Sequence, residues 1–139
     1  MKKFILDVHT HTIASDHAYG TIREMAQSAN EIGLKLLGIS EHAPDIPGTV
    51  NPFYYRNLKV IPRKIYGVEI FLDCEINVLN DGTLSLEQEL IDKLDYGIAR
   101  IHLQCYKNEG IEKNTDNLIS CMKNKKIFLY HILMMTIRR

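Results

Sequence analysis

The chain has 139 residues, 45% of them apolar and 24% charged, with 17 basic side chains against 17 acidic ones. That is enough for one domain with a core of its own, and the even charge balance excludes a broad basic face for nucleic acid or anionic lipid. Three cysteines with no C-x-x-C pair argue against a disulfide framework and for reduced thiols in the cytoplasm, and no apolar run reaches the ~20 residues of a membrane helix.

Residues 4–8 read as a first, buried strand, ending in Asp7-Val8-His9-Thr10-His11. Thr21 and Glu24 form a capping box, and Ile22, Met25, Ala26, Ala29 and Ile32 fall on one face of the helix that follows. Gly33 is placed to end it. Residues 36–40 form a second short apolar strand, and a proline-rich loop follows. Residues 54–61 suit a short helix, and residues 68–79 a long strand closed by the turn Asn80-Asp81-Gly82. Residues 86–94 read as a helix, 96–101 as a strand, 115–124 as a helix and 127–130 as a last strand. Strands alternating with helices predict βαβ units and a parallel sheet.

The histidines fall at the ends of these strands. His9 and His11 end the first and His42 the second; Glu75 lies late in the third. His102 follows the fourth and His131 the fifth, while His17 sits in the loop after the first. In a parallel α/β barrel the carboxyl ends of the strands converge on one face, and that face carries the chemistry. Residues two apart on a strand point the same way, so His9 and His11 suit a shared metal ion. By the same spacing Asp7 shares their face and is placed to accept a ring N–H and orient a ligand. Glu41 reads as a hydrogen-bond partner rather than a ligand. Cys74 and Cys105 read as core thiols, and Asp73 as an outward-facing strand carboxylate like Glu69.

The stretches "DVHTHT", "ASDHAY", "GISEHAP", "NLKVIPR", "GVEIFLDCEINVLNDG" and "IHLQCYKN" together resemble the small bacterial phosphatase branch of the PHP (polymerase and histidinol phosphatase) family. The resemblance implies a distorted (β/α)7 TIM-like barrel, of which this α/β chain would supply about the first five strands. It also implies up to three divalent metal ions, zinc foremost, with manganese or iron as alternatives. His9, His11 and Glu75 would hold the first ion. Glu75 would bridge to a second, held also by His102 and His131, and His17 and His42 would hold the third. The implied activity is hydrolysis of a small phosphate ester by metal-activated water. No side-chain nucleophile is expected, and Arg63 is the candidate for a phosphate oxygen.

The family's closing Asp-x-His motif is absent, and "HILMMTIRR" replaces the expected turn after His131. Residues 1–131 are therefore expected to be the N-terminal portion of a PHP domain. Residues 132–139 are expected to be a non-native tail left by a frameshift or early stop, or else the end of a genuine short protein that completes its barrel with another chain. Either way the open barrel edges predict self-association and weak or absent activity. The competing reading is a catalytically dead metal-binding or dimerisation module. An amidohydrolase fits less well, because "SDHAY" and "SEH" do not suit its ligand pattern.

Overall fold

The structure is a computed structural model that describes residues 5–46 and 49–131, with the side chains of residues 129–131 outside that description. Phe4 and the tail at 132–139 therefore lie outside the described residues.

Five parallel strands form one sheet: β1 (Leu6–Thr10), β2 (Leu36–His42), β4 (Val68–Asn77), β5 (Gly97–Arg100) and β6 (Ile127–His131), in that spatial order. A two-residue strand, β3 (Lys64–Ile65), runs antiparallel against the start of β4. Apart from β3, neighbours in the chain are neighbours in the sheet, the usual arrangement of successive βαβ units. Among the described residues β1 pairs only with β2 and β6 only with β5, so the sheet is open. This mixed α/β architecture is that of a partial TIM-like barrel.

The two-residue period of β4 explains how the layers divide. Val68, Ile70, Leu72, Cys74 and Ile76 join the main hydrophobic core, together with Leu37 and Ile39 of β2. Helix α1 (Ile22–Glu31) packs Ala26 and Ala29 into this core, and α3 (Gln88–Ile91) adds Leu90 and Ile91. Each large aliphatic side chain buried this way contributes about 1.5–3 kcal/mol. The alternate residues of β4, Phe71, Asp73, Glu75 and Asn77, belong to the inner face of the partial barrel.

Helix α1 starts as its sequence predicts. The Thr21 hydroxyl accepts from the Glu24 N–H, and the Glu24 carboxylate accepts from the Thr21 N–H at 2.7 Å. Gly33 follows with φ 83°, a left-handed conformation that glycine adopts without strain. Ile32 departs from expectation: as the capping residue it leaves the buried face and is exposed.

Other boundaries shift too. Helix α2 is Pro52–Asn57 with Asn51 as its cap, and a single 3-10 turn, Leu58–Val60, continues it. Helix α4 begins four residues before the predicted start, at Ile111, because Gly110 takes a positive φ and redirects the chain. The first strand is less buried than expected: Ile5 and Leu6 are exposed because they lie on an open edge. No helix among the described residues is long and apolar enough to cross a membrane.

Two layers lie below the strand tips on the inner face. A hollow of about 290 Å³ is lined by Val8, Leu36, Phe71, Tyr96 and Phe128. Above it the Tyr96 hydroxyl donates to the Val8 carbonyl at 2.6 Å, and the Ser40 hydroxyl donates to Asp73. Asp73 is thus not an outward-facing carboxylate. It is buried, and burial pushes its carboxyl up to about 7 despite the Ser40 hydrogen bond.

Candidate metal centre

Sheet register assembles the cluster. His42 at the end of β2 is in register with Glu75 of β4, while Asn77 of β4 pairs with Arg100 of β5. Two residues beyond Arg100 comes His102, and β1 ends beside β2 with His9 and His11 at its tip. The Glu75 carboxylate is fully buried at the centre. Its Oε2 lies 3.2 Å from His9 Nε2, 3.3 Å from His11 Nε2 and 3.3 Å from His42 Nδ1. Its Oε1 accepts from Arg100 Nη1 at 2.7 Å and lies 3.4 Å from His102 Nε2. The rings of His11 and His42 stack at 4.6 Å between centroids, and His17 completes that side 4.8 Å from His42.

Burial alone would raise the Glu75 carboxyl. Its contacts with His102, His11, His9 and Arg100 outweigh burial and hold the carboxyl far below the ordinary range. His42 moves the other way: burial pushes its imidazole down to about 4, so near neutral pH it is uncharged and offers a lone pair. His9 is raised, first by its hydrogen bond with Glu75.

Among the described residues three groups of donor atoms form, in each of which the atoms lie within 4.8 Å of one another: His9, His11 and Glu75; His11, His17 and His42; and His42, Glu75 and His102. Two tautomers are set by partners that can only accept. His102 Nδ1 faces the Asn77 side-chain oxygen at 2.8 Å, and that amide is oriented because its nitrogen donates to the Pro44 carbonyl. His17 Nδ1 faces the Ser15 carbonyl at 2.6 Å. In the neutral form of either ring these partners place the proton on Nδ1 and the lone pair on Nε2. Among the described residues the buried atoms His42 Nδ1 and His102 Nε2 have no hydrogen-bond partner although each faces the Glu75 carboxylate. A lone pair pointed at a carboxylate is repulsive by itself and becomes favourable with a positive charge nearby, and the imidazole-rich donor sets of the cluster fit divalent metal ions.

Sequence reasoning and structure differ at two candidates. Asp7 is exposed, and its Oδ1 accepts the backbone N–H of His9 at 3.2 Å rather than a ring N–H. The register of β1 against β2 shifts between Asp7 and Thr10, so alternation does not carry from Asp7 to His9. Arg63 is not brought to the cluster either. Its guanidinium pairs with Asp95 at 2.6 Å, and that carboxylate also accepts the Leu72 N–H, below the level of Glu75 on β4. For His131, the backbone is in register with Arg100, and the side chain lies outside the described residues.

Two groups escaped the reading of the sequence. Arg100 stands in the cluster itself; its place two residues before His102 was the available signal, by the same alternation that placed His9 and His11. Asp73 stands below the cluster, two residues before Glu75, and the same rule puts it on the inner face.

Glu41 is fully buried and accepts from the Thr12 N–H at 3.1 Å, from the Thr12 hydroxyl and from the Ser15 hydroxyl. It thereby holds the 3-10 turn Ile13–Ser15 between His11 and His17. Glu41→Ala is expected to destabilise the chain by about 2–4 kcal/mol, since it strands several buried donors at once. A thermal melt unchanged within a degree would refute this.

The chain matches the PHP domain family over residues 7–135. It is 47% identical over 123 residues to the "Probable phosphatase" of Clostridium novyi, covering 88% of this chain and 50% of that protein. It is 43% identical over 126 residues to the "Probable phosphatase" of Clostridium acetobutylicum, covering 90% of this chain and 52% of the relative. The same name belongs to a Caldanaerobacter subterraneus protein 45% identical over 124 residues, where the shares are 88% and 49%. The chain spans about half the length of the curated relatives it matches. Its strand-tip cluster of imidazoles around one carboxylate and its match over nearly the whole length agree, and the chain belongs to the PHP domain family.

Proposed function

We propose that this chain carries the metal-binding part of a phosphatase that hydrolyses a small phosphate ester through metal-activated water. The observation that supports this most is the set of three overlapping donor groups around Glu75. Bound there, divalent ions would supply positive charge for phosphate oxygens and acidify a water molecule toward neutral pH. Zinc is the first candidate; manganese and iron suit the same imidazole and carboxylate donors.

The chain's own residues divide the work. His9, His11 and Glu75 would hold one ion; His17 and His42 would hold another. Glu75 would be the carboxylate shared within the cluster, since its oxygens face His9 and His102. His102 would present Nε2, with Asn77 fixing its tautomer. The nearby serines are not offered as nucleophiles: Ser15 and Ser40 are buried and their hydroxyls donate to Glu41 and Asp73. The substrate we expect is a small phosphorylated compound rather than nucleic acid.

Activity of this chain alone is expected to be weak, because the inner face is open on one side and the relatives are about twice as long. Self-association through the edges of β1 and β6 belongs to the same proposal. The alternative, a metal-binding module without catalysis, gains support from the same openness. The deciding experiment is release of inorganic phosphate from an aryl phosphate with added Zn²⁺ or Mn²⁺. Metal-dependent release lost in His9→Ala supports the phosphatase. Metal retention with no release in the unaltered chain supports the module, and no metal retention refutes both.

A further inference from the structure

Arg100 is unusual company for a metal cluster. It reaches the cluster from the tip of β5, and Nη1 donates to Glu75 Oε1 at 2.7 Å. His102 Nε2 lies 3.4 Å from the same oxygen, while the other three histidines contacting Glu75 gather on Oε2. Among the three donor groups Glu75 is the one carboxylate, and the remaining donors are imidazoles. A guanidinium does not lose its charge in a protein, so Arg100 contributes a permanent unit of positive charge at Oε1. We propose that Arg100 serves as the resident cation of the His42, Glu75 and His102 group, taking by its charge and its hold on Oε1 the place of one divalent ion.

Three observations support this. A divalent ion bound by Glu75 Oε1 and His102 Nε2 would have to share that oxygen with Arg100 and sit beside its positive charge. The contact is not a loose surface pairing, since the Glu75 side chain is wholly buried and that of Arg100 is 22% exposed. Among the described residues the buried Arg100 Nε has no hydrogen-bond partner, and Glu75 anchors the other end of the guanidinium. The other two groups, His9 with His11 and Glu75, and His11 with His17 and His42, make use of Oε2 or of no carboxylate at all. They are left open to metal. The chain is then built for at most two divalent ions where its donors outline three. This inference rests on the metal-centre reading above and adds the number of ions.

The test is a count of metal. The full 139-residue chain, loaded with Zn²⁺ or Mn²⁺ and freed of excess by desalting, is compared with Arg100→Ala and Arg100→Gln by elemental analysis. We expect no more than two ions per unaltered chain and one additional ion in each variant. Arg100→Gln keeps most of the length and a hydrogen-bond donor, so it separates loss of charge from loss of packing, and circular dichroism verifies the fold of each protein.

Three retained ions in the unaltered chain would overturn the proposal without any variant. An unchanged count in folded variants would overturn it too. If phosphate affinity, measured by titrating inorganic phosphate into the loaded protein, fell tenfold or more in Arg100→Ala at constant metal content, Arg100 would be an anion anchor and the proposal would fail. If no form of the chain retained metal, the metal-centre reading would fail together with it. Metal in the unaltered chain without a gain in the variants would sink the Arg100 proposal alone.

Discussion

Glu75→Gln is expected to remove at least one bound divalent ion per chain and to lower metal affinity at least about a hundredfold. Substitutions that merely orient a ligand cost 10–100-fold in metal affinity or activity, and Glu75 faces four imidazoles directly. Glutamine preserves the shape but replaces one acceptor oxygen by an amide nitrogen and removes the negative charge from the centre. The substitution also leaves Arg100 without its ionic partner. Breaking a fully buried ion pair costs about 3–5 kcal/mol, and the partial access of Arg100 to water brings the loss below that range. Two measurements check this. Elemental analysis after metal loading reads the first part, and thermal unfolding in the presence of a chelator reads the second. Full metal content in the Glu75→Gln variant would show that the carboxylate is not at the centre of the site.

Gly38→Ala is the second large effect expected, and it acts on the fold alone. A methyl group at position 38 would overlap the Tyr96 hydroxyl and stand 2.9 Å from the Val8 Cα. The hydroxyl could move only by surrendering its hydrogen bond to the Val8 carbonyl, and Val8 belongs to the neighbouring strand β1. Overpacking of this kind costs about 1–3 kcal/mol, and more where backbone must yield. We expect a loss at or above the upper end, seen as a lower thermal midpoint and as poorer metal retention because β1 carries His9 and His11. Tyr96→Phe added to Gly38→Ala should recover part of the loss, since it relieves the hydroxyl overlap and leaves the Val8 contact. A single variant as stable as the unaltered chain would contradict this packing.

Much of this arrangement was legible in the sequence, and its gaps have physical causes. Alternation of apolar runs with a capped helix gave the parallel sheet, because each strand had turn residues or a helix start beyond it. His9, His11, His17, His42, Glu75 and His102 were legible as a group because each lay at or just past a strand end, which is where such sheets collect their side chains. Arg63 and Arg100 are both basic residues near strands, and only the register of β5 against β4 shows which reaches Glu75. Asp73 looked like a surface group because carboxylates rarely face inward, yet a hydroxyl from Ser40 makes its burial tolerable. β3 escaped notice since two residues carry no period.

The shifted register of β1 shows how much depends on residue count rather than residue type. Three steps along β1, from Asp7 to Thr10, match two along β2, from Leu37 to Ile39. Deleting one residue in that interval would restore even pairing. Thr10 would keep its place opposite Ile39, and the loss would fall on the approach of His9 to Glu75.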